Sequence, residues 1–570
     1  MSYGALVALA LLWWCSAASG FSPRTLPPRL PRSALSPVNA IAQADTGASV
    51  NNCFVTSKEM HGESFASMGS VPSDLMGTFY CIGPANFDVG EVAVKNPYLG
   101  DGMLSAVTFD KEGRVTFRNR FVNTPARLKE AKEGKMEGAN RPVSMMAGWA
   151  AQFVDPTVNR ANRGLLFWGK RLVALWDSTN PWKVDPKNLE TYFPEDFGEW
   201  LRPAAKGGEA FSSPVAEASS GRLITFGRSK VTGKVRIREW NDKMICGIVR
   251  TEPVPLVKPS GPGTPTTILP DFAVTKSNYI FSVPTLSFDK IPFNLRLKEL
   301  DQALAQSPQD PSVIWMVPRD GKKKPTVVEV DPHLCWSMPN AFEDDAGATQ
   351  ILMVRMDPLR VGEGGATAYE KLGSDYSGQV QERKLMQYTV MGDGYASKAL
   401  SDRHVDHVMV APSVKGQSSK FVYCGVGSDP SGASPIQGVC RLDIETGEEE
   451  CWMADSQLFI GALSFAPKAG ADPSETDGYV TCIALNAAKL TSEILVFDAA
   501  KISLGPVCRL DVGTNVPPAT AAGWTPRAKW SPENIDKAFK LADLYRRKGW
   551  NSANSEWDGL GLRIGTEEWW

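Results

Sequence analysis

The chain has 570 residues, with 61 lysines and arginines against 63 aspartates and glutamates and a formal net charge of −2. That near balance, without a long run of either sign, argues against nucleic acid as a partner and leaves small molecules or proteins. Ten cysteines stand singly with no CxxC pair, so neither a disulfide framework nor a zinc ribbon is expected, and buried free thiols are.

The amino terminus precedes any fold. The apolar run GALVALALLWWCSAASG (4–20) is short and ends in small residues, which suits a signal peptide over 1–20 better than a membrane span. FSPRTLPPRLPRSALSPVNAIAQA (21–44) comes next, with Arg24, Arg29 and Arg32, several serines and prolines, and no acid before Asp45. That composition predicts a transit-peptide-like segment over 21–50. A signal peptide joined to such a segment at a phenylalanine is similar to the bipartite leaders of algae with complex plastids. A plastid location is therefore expected, with secretion as the alternative. No later segment is apolar enough to span a bilayer, so any membrane association is expected at the surface.

From about residue 70 to 526 short strand-like runs recur, among them SAVTFD (105–110), RVTFRNRFVNT (114–124), RLITFG (222–227), NYIFSV (278–283), KFVYCGVG (420–427), YVTCIAL (479–485) and EILVFDA (493–499). They are rich in β-branched and aromatic residues and bounded by Gly, Pro, Asp or Asn turns. Such runs at roughly ten-residue intervals indicate a large antiparallel β-architecture. A propeller closes such a chain without long exposed edges. Helical signals are few, and the clearest are FNLRLKELDQALA (293–305) and SPENIDKAFKLADLYRRKGW (531–550). In the second, Ser531 is placed as the N-cap, Pro532 at the first helical position and Glu533 in the first turn. Arg546, Arg547 and Lys548 close it before Gly549. Ile535, Ala538, Phe539, Ala542 and Tyr545 share one face, so this helix packs on its own propeller or on a partner. The tail ends in GTEEWW, which suits either a partner's groove or a strap across the propeller.

Several stretches, in the same order along the chain, resemble the carotenoid cleavage oxygenase family, which includes the carotenoid cleavage dioxygenases and the retinal pigment epithelial membrane protein. They are GTFYCIGPANF (77–87), YLGDGMLSAVTFDKEGRVTFRNRFVNT (98–124), RLVALWDSTNPWKVDPKNLETY (171–192), VPRDGK (317–322), CWSMPNAFEDD (335–345), GVCRLDIETGE (438–448), TDGYVTCIAL (476–485), SEILVFDA (492–499) and VPPATAAGWTP (516–526). The resemblance implies an all-β chain whose residues 51–526 form a seven-bladed β-propeller with a small helical dome; residues 527–570 lie past the end of the resemblance and are expected, from their own signals, to form a helical tail. It also implies oxidative cleavage of a carotenoid or apocarotenoid double bond by O2 and a ferrous iron on the propeller axis, held by four histidines. Neutral imidazoles leave open positions on such an iron, and carboxylates orient the rings.

This sequence departs from that pattern at every ligand position. The family's four histidines map onto Ser213 in SSPVAEASSGRLITFG, Pro270 in LPDFAVTKSNYIF, Ser337 in CWSMPNAFEDD and Ala521 in VPPATAAGWTP. Two of the orienting carboxylates map onto Val410 and Ala462. The chain has only four histidines, His61, His333, His404 and His407. On a strand, His333 would lie roughly 13 Å from Ser337, whereas ligand bonds are about 2 Å long. No metal is therefore expected, although the family's cofactor would be Fe2+. Ser213, Pro270, Ser337 and Ala521 are expected to line the axis as substrate-binding positions. The leading expectation is an iron-free propeller that binds a carotenoid, apocarotenoid or related isoprenoid. The alternatives are a metal-independent isomerase, hydratase or tautomerase using Ser213 and Ser337 with Glu217, Asp271 or Asn340, a plastid scaffold or assembly factor with a protein partner on its tail, and a dioxygenase with an unusual ligand set.

Overall fold

The β-branched and aromatic runs pair as antiparallel sheets of four strands, because each run buries both faces only when other sheets pack above and below it. In the computed structural model the described residues are 50–547 apart from 91, 95–96, 136–158, 177–179, 196, 198–211, 230–231, 296–297, 299–302, 359–371 and 471. All belong to the unit Asp45–Trp570. The expected signal and transit segments and the GTEEWW terminus lie outside the described residues.

Seven blades succeed one another around an axis, and innermost strands touch from blade 3 through blades 4 to 7 and on through blade 1 to blade 2. Blade 2 runs from Gly164–Trp168 to Thr191–Pro194, blade 3 from Ser212–Glu217 to Cys246–Pro253, and blade 4 from Phe272–Val274 to Thr326–Val330. Blade 5 runs from Leu334–Glu343 to Gly394–Ala399, blade 6 from Val405–Met409 to Glu449–Met453, and blade 7 from Leu458–Pro467 to Pro506–Asp511. Blade 1 is built from both ends of the fold. Gly77–Asn86, Asp101–Phe109 and Val115–Phe121 supply three strands, and Ala521–Thr525 supplies the innermost, in a register that sets Ile82 opposite Ala521 and Thr78 opposite Thr525. Met60–Gly69 pairs with Val115–Phe121 on one side and Pro506–Asp511 on the other, which merges blades 7 and 1 into a nine-stranded sheet.

The core lies between blades. Between blades 3 and 4, Phe226 meets Phe272 and Phe281 edge-on at 5.0 and 5.1 Å between ring centroids, with all three rings buried. Such pairs each add about 1 kcal/mol beyond the area they bury. The GDGM motif has a local steric reason. A Cβ on Gly102 would come within 2.0 Å of the Ala161 carbonyl oxygen. Asp101, beside it, accepts a hydrogen bond from the buried Arg160 guanidinium at 2.8 Å, and Glu130 takes the same group at 2.6 and 2.9 Å. The motif thus clamps the entry to blade 2 onto blade 1.

Two expectations are corrected. The helix predicted over 293–305 does not reach its carboxy-terminal bound: Phe293 and Asn294 end the short helix Lys290–Asn294, Ala303 is helical, and Leu304–Ala305 is a strand paired with Leu286–Phe288, while 296–297 and 299–302 lie outside the described residues. Leu304 is buried there, so strand pairing takes the last two residues of the run in place of helix. The cysteines are not all free thiols, because Cys440 and Cys451 form a disulfide. They lie 11 positions apart in sequence, but the hairpin of Ile436–Asp443 and Glu449–Met453 sets them directly opposite each other. Described helices are few: Pro125–Glu133, Lys290–Asn294 and Tyr376–Gln379 interrupt the strands, and Pro532–Arg547 forms the carboxy-terminal extension. That last helix packs on its own propeller. Ile535 and Phe539 are buried, Phe539 stacks on His61 at 3.9 Å, and the Arg120 guanidinium lies 4.7 Å from the Phe539 ring centre.

Candidate axial site

Ser213, Ser337 and Ala521 sit on innermost strands, and Pro270 lies two residues before the innermost strand of blade 4. Ser213 falls in an irregular stretch of Ser212–Glu217 where the register shifts between Ser212 and Val215. Its hydroxyl donates to the Pro270 carbonyl at 3.0 Å. Asp271, next in the chain, accepts from the backbone N–H of Met338 at 2.7 Å and of Phe272 at 2.9 Å. Ser337 precedes Met338 and lies between two register shifts of Leu334–Glu343. Hydrogen bonds therefore join blades 3, 4 and 5 in succession, from Ser213 to Pro270 and from Met338, the neighbour of Ser337, to Asp271. Ala521 stands outside this chain of bonds, on the strand that closes blade 1, packed against the Tyr80, Ile82 and Leu104 cluster.

These four side chains do not fit a ferrous ion. Two are hydroxyls, which stay protonated near neutral pH, and proline and alanine offer no ligand atom. Val410 and Ala462, at the positions the resemblance assigns to orienting acids, are buried apolar residues. The histidines are placed elsewhere. His333 is fully buried between blades 4 and 5, with its Nδ1 donating to the Asp331 carbonyl at 2.8 Å and its Nε2 accepting from the Ser282 hydroxyl at 2.9 Å. Burial pushes its pKa down to about 4. His404 is also fully buried, and its Nδ1 accepts from the Arg383 N–H at 3.0 Å. Burial, reinforced by the Arg383 charge, lowers its pKa to about 3. His407 has a left-handed backbone at φ 52°, and His61 lies on the carboxy-terminal helix. Among the described residues, the one group of three ligand-type side chains with all ligand atoms within 4.8 Å of one another is Cys440, Glu449 and Cys451. It lies in the outer strands of blade 6, its sulfurs are joined, and Glu449 is engaged by Ser401 and Arg403.

Of the three residues weighed as acids, bases or orienting partners, two are bound into structural networks. Glu217 is gripped by both guanidinium nitrogens of Arg319 at 2.6 and 3.0 Å. Asn340 spends its amide on the 414–419 connection, donating to Gln417 O at 2.9 Å and accepting from Gly416 N at 2.8 Å. Asp271 remains, and burial pushes its pKa up against the opposing pull of the Met338 N–H and Lys415.

Sequence reasoning missed the cations at this end of the blades. Lys415 Nζ donates to the Pro339 carbonyl at 2.6 Å, two residues from Ser337. Trp336, on the other side of Ser337, carries the Arg383 guanidinium 3.9 Å from its ring centre and that of Arg163 at 5.7 Å. Its Nε1 donates to Asp406 at 3.0 Å, and Asp406 is paired with Arg383. Burial alone would push the Asp406 carboxyl up, but Arg383, His407 and these hydrogen bonds hold it well below the usual carboxylate range. No motif marks these residues, because they come from blades 2, 5 and 6 and meet only when the ring closes.

Comparison with known proteins decides the family. The family described as retinal pigment epithelial membrane protein matches residues 54–526. The chain belongs to that carotenoid oxygenase family. An apocarotenoid-15,15′-oxygenase of Synechocystis is 27% identical over 467 residues, covering 80% of this chain and 91% of that protein. A chloroplastic carotenoid cleavage dioxygenase 7 of Oryza sativa is 25% identical over 527 residues, covering 79% of this chain and 85% of its own length. The solved structure of cobalt-substituted Synechocystis apocarotenoid oxygenase superposes with a TM-score of 0.74 at 26% identity, over 84% of this chain and 98% of that one. Members of the carotenoid oxygenase family thus share this propeller over nearly its whole extent.

Proposed function

We propose that the protein binds a carotenoid, apocarotenoid or related isoprenoid at the propeller axis and does not cleave it with iron and O2. Family membership supports the ligand class. One observation carries the loss of cleavage: Ser213, Pro270, Ser337 and Ala521 stand where the resemblance calls for four imidazoles, while His333 and His404 are committed to hydrogen bonds inside the blades. The test is the metal content and visible spectrum of the protein purified from its native source, followed by incubation with an apocarotenal, Fe2+ and O2. The expected result is polyene absorption without stoichiometric iron or shortened products. Iron at one equivalent together with cleavage would overturn the reading.

A metal-independent transformation is the second reading, and Asp271 favours it. It is the one candidate acid left unspent by Arg319 or by the 414–419 connection, and its raised pKa suits a proton donor. We place the protein in a plastid on the strength of residues 1–50, which a fusion of those residues to a fluorescent protein would check. Association with a membrane surface and a partner for the residues beyond the last helix belong to the same reading, since an isoprenoid ligand resides in membranes.

A further inference from the structure

Lys415 comes directly after the short helical turn Pro412–Val414, in the connection between the first two strands of blade 6. Its neighbours Val414, Gly416 and Gln417 are tied to Asn340 of blade 5, which fixes the backbone from which the side chain reaches the Pro339 carbonyl at 2.6 Å. The residue is only partly exposed. Asp271 is near enough to attract its charge and is itself held at 2.7 Å by the N–H of Met338, next to Pro339. An amine from blade 6 and a carboxyl from blade 4 thus converge on Met338 and Pro339 of blade 5. Ser337 and Pro270 adjoin that segment and that carboxyl.

We propose that Lys415 is a nucleophile that captures the aldehyde end of an apocarotenoid as a Schiff base, with Asp271 as proton donor and counter-ion. The inference rests on the polyene-binding reading above and deepens it, because it selects the carbonyl-bearing members of that ligand class. A lysine amine attacks a carbonyl only in its neutral form, and desolvation supplies that form. Burial lowers the Lys415 pKa, with Asp271 pulling the other way, while burial raises that of Asp271. The pair therefore lies closer to amine and carboxylic acid than it would in water. The amine lone pair attacks the aldehyde carbon as the carbonyl π bond opens, and the oxygen takes up a proton to give a carbinolamine. Asp271 protonates the hydroxyl, water leaves, and the C=N bond forms. With the first proton on oxygen coming from the attacking nitrogen, one amine, one aldehyde and one carboxylic acid yield one iminium, one carboxylate and one water, with no change of oxidation state. The resulting iminium keeps a carboxylate beside it, which replaces the original attraction between Lys415 and Asp271. Arg163 also bears on Asp271 and favours its charged form, which suits the counter-ion role once the proton has been given up.

The test uses the full chain with all-trans-retinal as the aldehyde and retinol as the matching alcohol. Binding of each is read by quenching of tryptophan fluorescence, and imines are trapped with cyanoborohydride and mapped by peptide mass spectrometry. The expected result is a reduced retinyl adduct on Lys415, lost in Lys415→Arg and Lys415→Met and kept in Lys540→Arg, whose side chain is 76% exposed. If either Lys415 variant fails to fold, the peptide map of the unaltered chain still decides. Quenching by retinal and retinol alike, with adducts scattered over exposed lysines such as Lys420 and Lys540 and none on Lys415, would overturn the Schiff base while leaving polyene binding intact. Quenching by neither would overturn both readings.

Discussion

A histidine enclosed in a fold gives up either its charge or its hydration, and His333 gives up its charge. Both ring nitrogens are engaged in the neutral tautomer, and Ser312 further fixes its backbone, donating to His333 O at 2.9 Å and accepting from His333 N at 3.0 Å. Its folded pKa of about 4 lies below the ordinary 6.5, so the unfolded chain takes up the proton first as the pH falls. The stability His333 contributes is complete above about pH 6.5 and is lost progressively as pH falls toward 4, by roughly 3 kcal/mol in all. His404, with its lower folded pKa, adds a loss of the same sign that continues toward pH 3. His333→Gln, compared with the unaltered chain by urea unfolding across that window, is expected to show a visibly shallower fall in stability. Equal slopes would mean that the ring is already charged in the fold. The same residue shows how sequence misleads: PHLCW sets a histidine beside a cysteine and four residues before Ser337. The structure instead turns His333 into the packing between blades 4 and 5.

At the scale of elements, the carboxy-terminal helix and the run 293–305 make a useful pair. Start residues and the spacing of Ile535, Ala538 and Phe539 agree in Pro532–Arg547, and the helix begins where those signals place it, while the stop at Gly549 lies outside the described residues. In FNLRLKELDQALA the leucines have helical spacing but no matching cap, and Leu304 is claimed by the strand Leu286–Phe288. Local signals prevail when nothing non-local competes for the same side chains. The cysteine pair was illegible for the converse reason, since only the hairpin register makes Cys440 face Cys451. The docked helix also supports a prediction. Phe539 is its principal anchor, stacked on His61 and covered by Arg120. Glu533 reaches Arg114 at 2.6 Å only on the exposed side, where an ion pair contributes little. Phe539→Ala should weaken docking by about 3 kcal/mol. Trypsin should then cut at Lys537 and Lys540 several times faster, while the unfolding midpoint of the propeller stays nearly unchanged. A large drop in that midpoint would mean that the helix belongs to the cooperative core.

For the molecule as a whole, the frame was legible and the site only in part, through Asp271 and its neighbours, and both facts have one cause. Alternation and turns are local, so nine short motifs suffice to order seven blades. The axial groups Lys415, Asp271, Arg163 and Trp336 come from four separate stretches, and only closure of the ring makes them neighbours. Closure itself depends on one short strand. Gly77–Asn86 is buried along nearly its whole length, and its inner edge is covered only by Ala521–Thr525, from Ile82 opposite Ala521 to Thr78 opposite Thr525. Thr78 extends the seal by donating to the Ala528 carbonyl at 2.7 Å. Removing residues 521–570 would uncover the backbone groups of that edge, at about 1 kcal/mol for each lost hydrogen bond and more for any left buried and unpaired. It would also expose Tyr80 and Ile82 on an unprotected strand, which invites edge-to-edge association. Removing residues 531–570 keeps the strand and Ala528 and takes away only the docked helix and the residues beyond it. The shorter deletion should therefore give a monodisperse protein with a single cooperative unfolding transition, and the longer one a broad transition with aggregation, as read by size-exclusion chromatography and calorimetry. If both deletions behaved alike, the ring would be held by Met60–Gly69, which bridges blades 7 and 1, and not by the inner strand.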